Sequence, residues 1–201
     1  MLTRCPACRV EREDMEVRGE TVVCPACGHE RTFEKPPLLI VTGATGAGKT
    51  TVREELLGRV DTVLLEDDAI APERAEFDSE TAFNEYLLGR CRDLAQSGIT
   101  PVLFTTALGK PDDIEGLTNR RYFGDAHFLG VVCEGDVLAE RLRTRPGWTG
   151  KGYWGGVERQ IEFNDWVKDH AAAEGIDTVD TTEESIAETA ERVAQWLEEY
   201  L

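Results

Sequence analysis

Three groups of residues in this chain have the types and spacing to do chemistry. Gly43, Gly48, Lys49 and Thr50, in the run GATGAGKTT, fit the G-x-x-x-x-G-K-[ST] spacing of a phosphate-binding loop. Glycines at such positions let successive backbone N–H groups face one concavity, and the positive end of the helix that follows adds to the pull on polyphosphate. The expected nucleotide cradle is therefore Gly43, Ala44, Thr45, Gly46, Ala47, Gly48, Lys49, Thr50 and Thr51. In it the Lys49 ammonium would reach the β- and γ-phosphates of ATP, and the Thr50 hydroxyl would ligate Mg²⁺.

The second group is acidic. Glu66, Asp67 and Asp68 close the apolar run LLEDDAI, and one such carboxylate can take the proton of a hydroxyl attacking the γ-phosphate or hold the Mg²⁺ shell. The third group is Cys5, Cys8, Cys24 and Cys27, spaced C-x₂-C-x₁₅-C-x₂-C. That spacing reads as a tetrahedral Zn²⁺ site, and four thiolates leave no open position, so the expected role is structural. Cys91 and Cys133 stand alone and read as small buried hydrophobes.

The elements that must position these groups follow from the pattern. Residues 1–35 form the outline of a zinc ribbon, too small to bury much core without its metal. Glu34-Lys35-Pro36-Pro37 breaks the pattern and marks a linker to residues 36–201. From Leu38 onward strand and helix patterns alternate, which predicts an α/β fold with a parallel sheet between helices. Strands are expected at 38–42, 61–65, 100–105, 127–133 and 176–180, and helices at 48–59, 80–97, 135–145, 156–173 and 184–199. Asp78 or Ser79 and Thr181 or Thr182 are the expected caps of the second and last of these helices. The sheet's carboxyl ends would bring the acidic cluster beside the phosphate loop.

A second cationic group lies later. Arg141 and Arg145 share one helix face, and Pro146-Gly147 then stops the helix before WTGKGYWGG, a glycine- and aromatic-rich flap. Residues 141–156 thus read as a lid in which Arg141 and Arg145 clamp phosphate during transfer. Arg120 and Arg121 precede a strand, and Trp148 offers a ring to stack on adenine or to pack in the flap.

Charge and motif content narrow the function classes. The net charge is −17; residues 1–35 are nearly balanced, with six Lys/Arg and seven Asp/Glu, while the remainder carries 16 against 32. Such a surface repels nucleic-acid phosphates, so nucleic acid is disfavoured as a partner. No apolar run has the length of a membrane span and the first residues lack a signal peptide's apolar core, so a cytoplasmic location is expected. The third strand ends in Thr105 and Thr106 without a Walker B aspartate, which argues against motor and transport ATPases, and the absence of N-K-x-D argues against GTPases.

Residues 38–201 resemble the P-loop small-molecule kinases, the group that includes nucleoside, nucleotide, shikimate and gluconate kinases and chloramphenicol phosphotransferase. The resemblance rests on GATGAGKT, on EDD after the second strand, on the R-L-x-x-R of Arg141, Leu142 and Arg145, and on VDTT before the last helix. NRRYFG, HFLGVVCEGDVLAERLRTRPGW and FNDW are similar to a little-characterised set named nucleoside kinases or AAA-family ATPases by analogy. The resemblance implies a five-stranded parallel sheet, Mg-ATP as donor, a closing lid and a small-molecule acceptor, a nucleoside or nucleotide first. It also implies Asp68, before Ala69 and Ile70, as the base, with Asp67 as the next choice. The ribbon lies outside that family pattern. It keeps open two other readings, a nucleotide-switched module that binds RNA or protein and a polynucleotide 5′-hydroxyl kinase. Nothing in the sequence sets an oligomeric state.

Overall fold

The computed structural model describes residues 2–71, 74–146, 148 and 155–201. Among these residues, eight strands and six α-helices run β1 (Glu16–Arg18), β2 (Thr21–Val23), β3 (Glu30–Thr32), β4 (Leu38–Thr42), α1 (Lys49–Leu56), β5 (Leu64–Glu66), α2 (Asp67–Ile70), α3 (Glu80–Ala95), β6 (Val102–Phe104), β7 (Ala126–Val132), α4 (Gly135–Thr144), α5 (Val157–Glu174), β8 (Ile176–Asp180) and α6 (Ile186–Glu198). β4 to β8 form a five-stranded parallel sheet in the order β5-β6-β4-β7-β8, flanked by helices. This is the expected α/β architecture, with β4, the strand before the Gly43–Thr50 loop, at its centre.

The pleat of β4 explains how two layers share one sheet. Leu38 and Ile40 point into a core with Leu87, Leu88 and Cys91 of α3 and Ala171 of α5. Leu39 and Val41 point the other way, onto Val52 and Leu56 of α1 and Val193 and Leu197 of α6. Both faces of a parallel sheet must be covered, so every residue of β4 is buried. Register then sets the site: Val41 and Glu66 each lie opposite Phe104, which brings the end of β5 level with the end of β4.

Several boundaries differ from expectation. The second strand of the large sheet spans Leu64–Glu66 rather than 61–65, and α2 follows it at once, a one-turn helix that the acidic spelling does not announce. Ser79, one of two expected caps, accepts from Ala82 N at 3.1 Å. The last helix starts later than expected, at Ile186, because Ser185 and Glu188 make a capping box ahead of it. Thr181 is instead buried just past the end of β8. Among the described residues no helix is long and apolar enough to cross a membrane.

β1, β2 and β3 form a separate antiparallel sheet carrying the four clustered cysteines. Its apolar side does not form a core of its own: Leu2, Cys5, Met15, Val22 and Cys24 share one cluster with Leu38, Leu88, Tyr122 and Phe123. Polar ties reinforce the seat. The Arg92 side chain, 5% exposed, donates to Glu13 Oε2 at 2.6 Å and to Asn119 Oδ1 at 2.6 Å, and Arg121 donates to the Glu13 carbonyl at 2.7 Å. Leu2 N donates to the Gln96 side chain, and the ring of Phe33 lies 6.3 Å from that of Tyr122.

Candidate active site

The loop Gly43–Thr50 leaves β4 at its carboxyl end. Gly43 has φ +142°, and a Cβ there would lie 2.2 Å from the Val131 carbonyl oxygen on the neighbouring strand, so no side chain is tolerated. Gly48, with φ +112°, caps α1 without any side-chain acceptor, and the first turn of α1 holds no acidic residue. The helix therefore offers its positive end uncompensated. The backbone N–H groups of Gly46, Gly48, Lys49 and Thr50 have no hydrogen-bond partner among the described residues, as an anion cradle requires.

Lys49 Nζ donates to Gly43 O at 2.7 Å, Ala44 O at 3.1 Å and Thr106 Oγ1 at 2.9 Å, so the ammonium is folded onto the loop and the end of β6. Burial pulls its pKa down from 10.5 to about 8, against the opposing pull of Asp67, Asp68 and Glu66, and Arg145 adds to the depression.

The three acidic residues separate by role. Glu66 Oε1 accepts from Thr50 Oγ1 at 2.5 Å, and its other oxygen lies 3.7 Å from Arg53. Asp67 is buried; its Oδ2 accepts from Thr105 Oγ1 at 2.5 Å and Thr106 N at 3.3 Å, and its Oδ1 from Asp68 N at 2.9 Å. Burial raises its pKa despite those donors. Asp68 is exposed on α2, and its carboxylate has no partner among the described residues. All three line one cleft of about 590 Å³ with Lys49 and Thr50. Asp67 and Asp68 also line an adjoining hollow of about 250 Å³ with Thr45, Thr106, Arg145 and Trp148.

The two arginines expected in a lid, Arg141 and Arg145, are placed differently. Arg141 Nη1 donates to Thr181 Oγ1 at 2.9 Å and Nη2 to Thr181 O at 2.7 Å, while Thr181 Oγ1 donates to Ala47 O at 2.9 Å. The guanidinium is thus fixed against the end of β8 and the back of the loop. The side chain of Arg145, the C-cap of α4, makes no hydrogen bond or ion pair among the described residues and opens on both cavities. Of the flap, residues 147 and 149–154 lie outside the described residues; Trp148 packs against the apolar cluster of Ala44, Cys133, Leu138 and Leu142.

The four cysteines form a second site. Their sulfur atoms lie within 4.8 Å of one another, with Cys5–Cys27 at 3.6 Å and Cys8–Cys24 at 3.7 Å. A tetrahedron of ~2.3 Å metal–sulfur bonds has edges of ~3.8 Å, so the cage fits a metal of that size. The two CPAC runs fold alike: Arg9 N donates to Cys5 O and Gly28 N to Cys24 O, both at 2.8 Å, and Arg9 (φ 60°) and Gly28 (φ 70°) share the left-handed conformation. The Cys8 N–H and, more weakly, its other neighbours lower the Cys5 thiol to about 6 despite some burial.

Sequence reasoning singled out the loop, the acidic cluster, the arginines and the cysteines. It did not single out Thr181 as the partner of Arg141, nor Gln160 of α5, whose Oε1 accepts from Thr45 N at 2.7 Å. Thr181 could have been found from its place at a strand's carboxyl end; for Gln160 no local signal exists.

No family model and no curated protein matches the chain. Solved structures do. A sugar kinase from Janibacter sp. HTCC2649 is similar over 82% of this chain and 95% of its own, at 18% identity and a TM-score of 0.59. A putative kinase from Chloroflexus aurantiacus is similar over 84% and 100%, at 21% and 0.53. A shikimate kinase from Acinetobacter baumannii in complex with shikimate is similar over 82% and 94%, at 15% and 0.51. At these identities the likeness is one of fold, the α/β fold of P-loop kinases.

Proposed function

We propose that this chain is an ATP-dependent phosphotransferase that moves the γ-phosphoryl group to a hydroxyl or phosphate of a small molecule. The observation that carries the reading is Asp68: an exposed, unpaired carboxylate on the same cleft as Lys49, Thr50 and Glu66, and on the same hollow as Arg145. A nucleotide seated by its phosphates on the loop presents its terminal phosphate toward that hollow.

In this reading Lys49 leaves the Gly43 and Ala44 carbonyls and pairs with the β- and γ-phosphates, alongside the unpaired loop N–H groups. Thr50 and Glu66 supply two hard oxygens on one side of the cleft, a donor set that suits Mg²⁺ completed by water and phosphate oxygens. When bound, that ion neutralises charge on the phosphate chain. Asp68 accepts the acceptor's proton, Arg145 stabilises charge on the transferring group, and Asp67 ties α2 to β6 so that its neighbour is held in place. Arg141 braces the loop through Thr181 and adds positive potential. Trp148 gives the hollow an aromatic wall, which suits the base of a nucleoside or the apolar face of a sugar. The four cysteines hold one structural Zn²⁺.

The test is a screen of purified protein with Mg-ATP against nucleosides, nucleotides, sugars, sugar acids and other hydroxylated metabolites. ADP release and phosphorylated product are measured together, with Asp68→Asn as control. One acceptor class should give product in step with ADP, lost in the variant. Tight ATP binding with no phosphorylated product from any acceptor would refute the assignment.

A further inference from the structure

The phosphate loop is gripped at its tip by two helices that flank the lid segment. Leu138 and Leu142 of α4 lie so close to Gly46 that a Cβ there would come within 2.9 Å of Leu142 Cδ2. From the other side, Gln160 of α5 takes the Thr45 N–H with its side-chain oxygen at 2.7 Å. Gln160 is only 3% exposed, one turn into the helix that resumes the chain after the flap.

The place of this bond gives it a consequence for chemistry. Thr45 is the one loop residue that lines both the large cleft, with Lys49 and Thr50, and the smaller hollow, with Asp68, Thr106 and Arg145. It forms the lip between the donor and acceptor sides. An N–H engaged with Gln160 is turned from the polyphosphate, which leaves the amides of Gly46, Gly48, Lys49 and Thr50 to the phosphates. A carboxamide is also neutral. An anion at the same position would face the terminal phosphate across the lip in a partly desolvated cleft, where opposed charges are strongly felt.

We infer that Gln160 is a positioning residue for the terminal phosphate: it fixes the Thr45 lip of the loop from the helix behind the lid and must be neutral to do so. The inference rests on the kinase reading for its role in turnover but not for its role in binding. It adds a residue of α5 to a site otherwise built from β4, β5, β6 and α4.

Two substitutions separate positioning from simple packing. Gln160→Glu keeps the length and the oxygen that accepts from Thr45 N and adds one negative charge. Its melting temperature should fall, because a carboxylate is buried, and at a temperature where the variant is still folded its ATP affinity, read by calorimetry, should fall about tenfold or more relative to ADP affinity. Gln160→Met keeps the volume and removes the acceptor; turnover should fall about tenfold or more with KM for ATP changed less. An unchanged ATP-to-ADP affinity ratio in Gln160→Glu would overturn the inference, and it does so whether or not Gln160→Met folds. Because that ratio needs no acceptor, a chain that binds ATP without transferring phosphate would fail as a kinase while Gln160 is still tested.

Discussion

At the scale of single residues, adjacent acids differ because their surroundings differ. Asp67 is buried among three donors, whereas Asp68, one residue on, faces the cleft. Asp68→Asn should lower kcat by about 10²–10⁴-fold, the usual contribution of a general base, with ATP affinity nearly unchanged. Asp67→Ala should instead cost about 1–3 kcal/mol of stability, because Thr105 and Thr106 lose their acceptor. A larger kcat loss in Asp67→Asn than in Asp68→Asn would reverse the assignment. Lys49 brings a pH dependence. With its pKa near 8 in the free site, ATP affinity should be flat below about pH 7 and fall toward tenfold per unit above pH 8, since the polyphosphate binds the ammonium. Titration calorimetry from pH 6 to 9.5 reads this directly, and a flat profile would contradict it. The same depression makes the folded chain carry fewer protons than the unfolded one between about 8 and 10.5, so this lysine's contribution to stability rises across that window.

At the scale of elements, one buried side chain of α5 completes the end of β7. Asn164 is fully buried; its Oδ1 accepts from Cys133 N at 3.1 Å and its Nδ2 donates to Cys133 O at 2.8 Å, so a side-chain amide continues the pairing of β7 past its end. Asn164→Ala should lower stability by about 2–4 kcal/mol, two buried backbone groups being stranded at once. Denaturant unfolding at constant m would show it as a lower midpoint, and an unmoved midpoint would mean that water replaces the amide. The elements also show what was legible in the sequence. β4 and β8 start and stop at the expected residues, β4 because its apolar run is bounded by Pro37 and Gly43, and β8 because Ile176 and Val179 are bounded by Gly175 and the threonines after Asp180. β5 was displaced because Asp61 and Thr62 read as strand residues, yet the Thr62 hydroxyl turns to the Thr100 carbonyl at 2.5 Å. The candidate site was legible wherever one short motif carries it, as in GATGAGKT. Gln160 and Thr181 were not, because their meaning lies in partners 115 and 40 residues away.

At the scale of the whole molecule, the cysteine sheet and the large sheet share a core, and the nearly buried Arg92 is paired both by Asp93 of its own helix and by Glu13 of the N-terminal segment. On the proposed reading of the four cysteines as a Zn²⁺ site, chelation or Cys24→Ser should therefore destabilise the entire chain in one transition. A loss of even about 3 kcal/mol corresponds to a fall of about 6–12 °C in Tm for a chain of this size. Calorimetry showing an early separate transition, with the main one unmoved, would contradict this. The Glu13–Arg92 bond joins residues 79 apart, and the Arg121–Glu13 bond residues 108 apart. On a ribosome adding about 5–20 residues per second, the cysteine sheet is complete about 4–20 s before its seat on α3 and Tyr122 has been made. Met15 and Val22 have nowhere to bury during that interval. If the four cysteines hold Zn²⁺ as proposed, metal loading would fall at the start of the protein's life, as the step that keeps its first-made surface in order until the rest of the chain arrives.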